Sequence, residues 1–168
     1  MLHVCSLADL HPTVATTGAR YVLTVMGNVD KALRPPTVEE LNHLKVSMDD
    51  ITEAADGMVV PSATHVTRLL DFVRRWNRDA PMVIHCYAGI SRSTASAFAA
   101  VCALNPHRDE IAIARQIRAA SPIAAPNRLI VSLADKALGR EGRMLRALDE
   151  MGPGSMIVEG RPFRVDLE

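Results

Sequence analysis

The segment Pro81–Ala95, PMVIHCYAGISRSTA, constrains the fold more than any other part of the chain, because it joins a short apolar run to a long small-residue stretch through one tight turn. Met82, Val83 and Ile84 form the run, Gly89 ends it and Ser91 opens the Ala-rich stretch, so the pattern reads strand, turn, helix. Similar runs lie upstream. Leu2–Leu7, Tyr21–Met26 and Leu44–Met48 read as further strands, with Met82–Cys86 as the central one. Between the first two, Pro12 starts and Gly18 stops a short helix. After Pro61, the residues Val66, Leu69, Leu70, Val73 and Trp76 recur at helical spacing, and Asn77 with Pro81 ends that helix. The helix opened by Ser91 runs to Leu104 and is apolar on most sides, which predicts burial. Ile111, Ala114 and Ile117 mark another helix, Leu129, Ile130, Leu133, Ala134 and Ala137 a further one, and Leu145 with Leu148 the last. The order predicts an α/β fold with a central, mostly parallel sheet of about four or five strands flanked by helices, the C-terminal helices covering one side.

The turn itself carries the chemistry. Cys86 and Arg92 bracket Tyr87, Ala88, Gly89, Ile90 and Ser91, and the backbone N–H groups of these residues are expected to converge on one point at the start of the helix. Unpaired amides there carry partial positive charge, which suits a phosphoryl group and stabilises a thiolate. A free thiol titrates near 8.5, but at a helix N-terminus beside a cation it commonly falls to about 3.5 to 7.5, so thiolate character is expected of Cys86. Thiolate is the form that attacks phosphorus. Arg92 offers a planar fork to two phosphoryl oxygens, which a lysine point charge does not match. Gly89 lets the loop turn without a Cβ clash, and Ser93 places a hydroxyl where it can hydrogen-bond the departing thiolate. A buried core cysteine is the plain alternative. The strand before it, His85, Gly89, Ser93 and the helix beyond argue against that alternative together.

HCYAGISRS resembles the signature loop of the protein tyrosine phosphatases, and within them the dual-specificity group, whose pattern is HC, five residues, R, then S or T. The resemblance implies a phosphatase-like fold and a two-step mechanism: the cysteine takes the phosphoryl group, an Asp on a separate loop protonates the leaving oxygen, and water hydrolyses the phosphocysteine. Cys86 then corresponds to the nucleophile, Arg92 to the phosphate clamp and Ser93 to the thiolate donor. The acid is sought in HLKVSMDDITE, where Asp50 continues the phase of Val46 and Met48, and the group's pattern also has apolar residues two and four before its acid. Asp50 is therefore the choice and Asp49 the runner-up, while Glu53 and Asp56 lie in a following segment that can act as a lid. The resemblance makes His85 a loop-orienting hydrogen bonder rather than a base, since adjacent strand residues face opposite ways. Asn127 matches a Pro-Asn pair that starts the last core helix and braces the loop; a plain helix start is the alternative. Tyr87 and Ile90 are expected at the pocket mouth or against the sheet.

The uncharged residues from Tyr87 to Ser91 argue against a highly anionic inositol head group. A short chain with few flanking loops suggests an open pocket for phosphotyrosine, and with it phosphoserine or phosphothreonine. The expected partner is a phosphorylated protein or a small phosphomonoester. Two other classes stay open: a phospho-residue binding module without turnover, and a thiol-based redox or arsenate-transfer enzyme needing a resolving cysteine.

At 168 residues, 48% hydrophobic and 23% charged, the chain fits one domain with a full core. We assign it residues 1–151, with 152–168 as a tail that packs on the domain or mediates dimers. Lys plus Arg and Asp plus Glu both number 19, so no global basic field attracts nucleic acid or an anionic membrane. Three cysteines, Cys5, Cys86 and Cys102, make no disulfide framework and suit a reducing compartment, so a cytoplasmic location is expected. The N-terminus has no basic start and is interrupted by His3, Asp9 and His11, so it does not read as a leader, and no apolar run reaches membrane-spanning length. His3, His11, His43, His65 and His107 show no metal-ligand spacing and read as surface or capping residues. No metal or cofactor is expected. The oligomeric state is left open.

Overall fold

A computed structural model describes residues 1–156 and 159–167. Strands β1 (Leu2–Cys5), β2 (Tyr21–Met26), β3 (His43–Ser47) and β4 (Met82–His85) run parallel in the order β3-β2-β4-β1, and β5 (Phe163–Val165) adds antiparallel to β1. The helices are α1 (Leu10–Thr17), α2 (Ala63–Arg75), α3 (Arg92–Leu104), α4 (Glu110–Ala120), α5 (Arg128–Ala137) and α6 (Arg143–Met151). This is the expected α/β architecture. β4 is central, with Ile84 level with Val4 of β1 and Leu23 of β2.

Alternation along the strands separates two cores. Leu2, Val4, Leu23, Val25, Met82 and Ile84 face α2, α3 and the C-terminal helices, whereas Cys5, Val22 and Val83 face Leu10 and Val14 of α1. Burial on both faces is why β4 reads as an unbroken apolar run. Ser62 caps α2 through a reciprocal pair with His65, and Val66, Leu69, Leu70 and Val73 place its apolar stripe inward. α3 is enclosed by the sheet, α2, α4 and α5, and Ser93 to Cys102 are all buried. Such enclosure admits few large side chains; hence the run of Ala and Ser with Phe98 as the one bulky member. Near the far end of α3, Arg140 donates to the Cys102 carbonyl at 2.6 Å and pairs with Glu110 at 2.7 Å, with both side chains buried.

The strands end slightly differently from the sequence reading. β1 stops at Cys5 rather than Leu7, because the Leu7 amide leaves the ladder and donates to the Tyr87 carbonyl at 3.0 Å. β3 begins one residue earlier, at His43, and ends at Ser47. The segment from 152 onward, given no conformation from sequence, supplies β5: Phe163 and Val165 are buried, opposite Val4 and Leu2. Residues 157, 158 and 168 of that tail lie outside the described residues.

Candidate active site

The loop between β4 and α3 turns its carbonyls outward, and donors from several elements hold them there. Cys86 O faces His85 Nδ1 at 3.2 Å, and Tyr87 O accepts from the Leu7 amide at 3.0 Å. Ala88 O accepts from Gly160 at 2.8 Å, Ile90 O from Ala125 at 3.0 Å and Ser91 O from Asn127 at 3.2 Å. The C=O and N–H of one planar peptide point in opposite directions, so the amides of Tyr87, Ala88, Gly89, Ser91 and Arg92 are turned inward. Gly89 N–H meets Cys86 Sγ at 3.3 Å; the other four have no protein acceptor among the described residues. Gly89 has φ +74°, and a Cβ there would lie 2.9 Å from the backbone of Cys5 and Ser6, so no other residue fits without displacing the loop.

Cys86 is buried, and its sulfur also contacts Ser93 Oγ at 3.1 Å. Arg92 Nη1 donates to the Met48 carbonyl at 2.9 Å, while its buried Nε–H has no acceptor among the described residues. Met48 thus ties the end of the β3 segment to the loop. The next residues separate the two aspartates. Asp49 turns to Val59, whose N–H it accepts at 2.7 Å, and presses on Gly27, where a Cβ would come within 2.3 Å of its oxygen. Asp50 Oδ1 accepts from Ser91 Oγ at 2.7 Å and from Asn127 Nδ2 at 2.8 Å. Asn127 also caps α5, with its Oδ1 accepting from the Leu129 and Ile130 amides. One side chain therefore joins the acid segment to the helix start. Glu53 and Asp56 are exposed, and Glu53 lines a cavity of about 600 Å³ with Asp50, Ile51, Ser91 and Asn127. Tyr87, within the loop, is 61% exposed.

His85 points away from the sulfur, toward the α1 side of the sheet. Its Nε2 lies 2.7 Å from Thr24 Oγ1, which in turn lies 2.8 Å from His43 Nε2. A carbonyl only accepts, so Nδ1 of His85 carries the proton, Thr24 donates to Nε2 and His43 donates to Thr24. Burial pushes His85 and His43 down to about 4, keeping both rings neutral at physiological pH. With both nitrogens engaged, His85 orients the Cys86 peptide. His43 corrects the sequence reading as surface or cap: it is half-buried behind the loop, because Thr24 is a polar gap in an apolar strand that needs a partner. His65 does cap, as part of the α2 box.

Cys5 lies opposite His85 in the β1–β4 register and Cys102 near the end of α3; burial pushes both thiols up to about 12. Sequence reasoning missed the loop's outer donors, Leu7, Ala125 and Gly160, because backbone amides leave no composition signal. It also missed Thr24 and His43, for which the threonine in the middle of the apolar run YVLTVM was the available sign.

A parallel sheet whose central strand delivers a cysteine into such an amide-lined turn defines a class of phosphate-handling α/β proteins. The family model for protein-tyrosine phosphatases matches residues 33–122, more than half of the chain, and the chain belongs to that family. Among solved structures it is similar to DUSP15 (20% identity, 92% of this chain and 94% of that one, TM-score 0.63). It also resembles the PTP-2 phosphatase of Cydia pomonella (19%, 80% and 84%, 0.63). A third likeness is to a mouse putative dual specificity phosphatase (17%, 87% and 86%, 0.61). At these identities the likeness concerns the fold. No curated protein matches the chain.

Proposed function

We propose that this chain is a cysteine-dependent phosphatase acting on phosphotyrosine, and on phosphoserine or phosphothreonine, through a phosphocysteine intermediate. The observation that carries the reading is the convergence of inward amides, the unpartnered Arg92 Nε–H and the Cys86 sulfur in one loop, with the Asp50 carboxylate hydrogen-bonded to that same loop. In the first step Cys86 sulfur forms a bond to phosphorus as the bond to the leaving oxygen breaks. Asp50, in its acid form, gives that oxygen a proton. The two donors on Oδ1 leave Oδ2 as the proton-carrying oxygen. Amides and the Arg92 fork hold the equatorial oxygens, where charge builds in the transition state. In the second step a water loses its proton to Asp50 and bonds to phosphorus, the P–S bond breaks, and Ser93 hydrogen-bonds the departing thiolate.

Phosphate release from p-nitrophenyl phosphate, without metal and with a reducing agent, tests this against Cys86→Ser. The reading expects activity lost only in the variant. Equal release by both proteins, or none by either, would overturn it.

A further inference from the structure

Beyond residue 122, where the family match ends, the chain returns to the signature loop. β5 pairs Phe163 with Val4 and Val165 with Leu2, so Leu7, beyond β1, and Gly160, ahead of β5, leave the paired strands at the same end. These two residues then donate to neighbouring carbonyls of the loop, Leu7 to Tyr87 at 3.0 Å and Gly160 to Ala88 at 2.8 Å. Gly160 is buried, and a Cβ there would sit 3.1 Å from Gly89 O and 3.3 Å from Ala88 O. The start of the segment is fixed on the last turn of α4 and the loop that follows it: Arg118 donates to Gly152 O at 2.8 Å and the Ser155 amide to Pro122 O at 3.1 Å. A Cβ on Gly154 would lie 2.5 Å from Ile123 O, so the backbones touch there too.

The peptide that Gly160 grips is the one whose other end meets the sulfur. Ala88 O is its outward pole, and Gly89 N–H, 3.3 Å from Cys86 Sγ, its inward pole. We propose that the described residues 152–156 and 159–165 form a strap on the signature loop, and that Gly160 is a positioning residue whose N–H aims the Gly89 amide at the Cys86 sulfur. The inference rests on the thiol phosphatase reading. Losing that aim removes a donor from the ionised sulfur and slows its reaction at neutral pH. The titratable groups of the elements around the loop include Arg92 of α3, Asp50 after β3, His85 of β4, Cys5 of β1, Tyr87 in the loop itself and Glu159 of the strap, which lines a hollow with Leu7, Tyr87 and Ala88; none of them is altered by a substitution at residue 160.

The test is the pH profile of Cys86 alkylation by iodoacetamide, followed with turnover, in Gly160→Pro and Gly160→Ala. Proline has no N–H, whereas alanine keeps it and asks its neighbours to give by a few tenths of an ångström. Gly160→Pro is expected to slow alkylation about tenfold at neutral pH, the scale of one hydrogen bond to an ion, with rates converging at alkaline pH and kcat falling while KM holds. Gly160→Ala is expected to keep most of the reactivity. Wild-type alkylation and turnover in the Pro variant would overturn the proposal, as would equal losses in both variants, which would make space rather than the N–H decisive. If the Pro variant does not fold, Phe163→Ala decides, since it trims the strap's buried anchor. Slowed neutral-pH alkylation with raised deuterium uptake at Gly160 supports the strap; raised uptake with wild-type alkylation overturns it. Alkylation needs no turnover, so a wild-type protein that reacts normally but releases no phosphate would overturn the phosphatase reading alone.

Discussion

At the scale of single residues, the two adjacent aspartates show how one position decides a role. Asp49 is spent on Val59 and Gly27, whereas Asp50 reaches Ser91 and Asn127. Asp50→Asn is expected to lower the rate on a phosphotyrosine peptide by about 10²- to 10⁴-fold, and far less on p-nitrophenyl phosphate, whose leaving group needs no proton. Asp49→Asn keeps the proton donor and is expected to act mainly through the melting temperature. Steady-state kinetics of both variants on both substrates separates them; the reverse pattern would exchange the assignments. His85 and His43 give a second prediction. The unfolded chain takes up protons on these rings near the usual 6.5, the folded chain only near about 4. Their contribution to stability is therefore complete above the unfolded value and is lost as pH falls from about 6.5 towards 4. The thermal midpoint should drop across that window, and less steeply in His43→Gln, which keeps a donor for Thr24; an equal slope would count against it.

At the scale of elements, the strand-turn-helix unit was legible because each part leaves its own mark: an apolar run, a glycine, then small residues. Gly89 could be read as permissive from its type alone, but its reason lies in Cys5 and Ser6, far away in the chain. Gly89→Ala is accordingly expected to destabilise by about 1–3 kcal/mol, the range for a strained backbone position, and to lose activity beyond what stability explains. Urea denaturation beside phosphate release checks both parts. The Arg140–Glu110 pair was not legible, since nothing in the sequence marks which Arg around the α5–α6 turn points inward. Arg140→Met strands a buried carboxylate, with only Arg143 left to it at 3.1 Å, and is expected to cost about 3 kcal/mol. The same denaturation experiment reads it, and a wild-type midpoint would contradict the burial argument.

At the scale of the whole molecule, the alternation of strands and helices predicted a mostly parallel sheet with its chemistry at the end of the central strand, and the β3-β2-β4-β1 order agrees. The fifth strand escaped because the tail was read for its Gly-Pro-Gly start, although Phe163, Val165 and Leu167 alternate as a strand should. Its pairing with β1 is a contact between the two ends of the described chain, which no local pattern announces. Among the described residues no helix is long and apolar enough to cross a membrane. The account's central claim is that Cys86 carries phosphorus during turnover, and the most direct measurement is mass spectrometry of an acid-quenched reaction with a phosphotyrosine peptide. The account predicts phosphate on the Cys86 peptide, absent from Cys86→Ser, and enriched in Asp50→Asn when p-nitrophenyl phosphate is the substrate, because its leaving group needs no proton in the first step while the second step lacks its base. Phosphate release by a wild-type protein with no phosphate on Cys86 at any quench time, in Asp50→Asn as well, would contradict it.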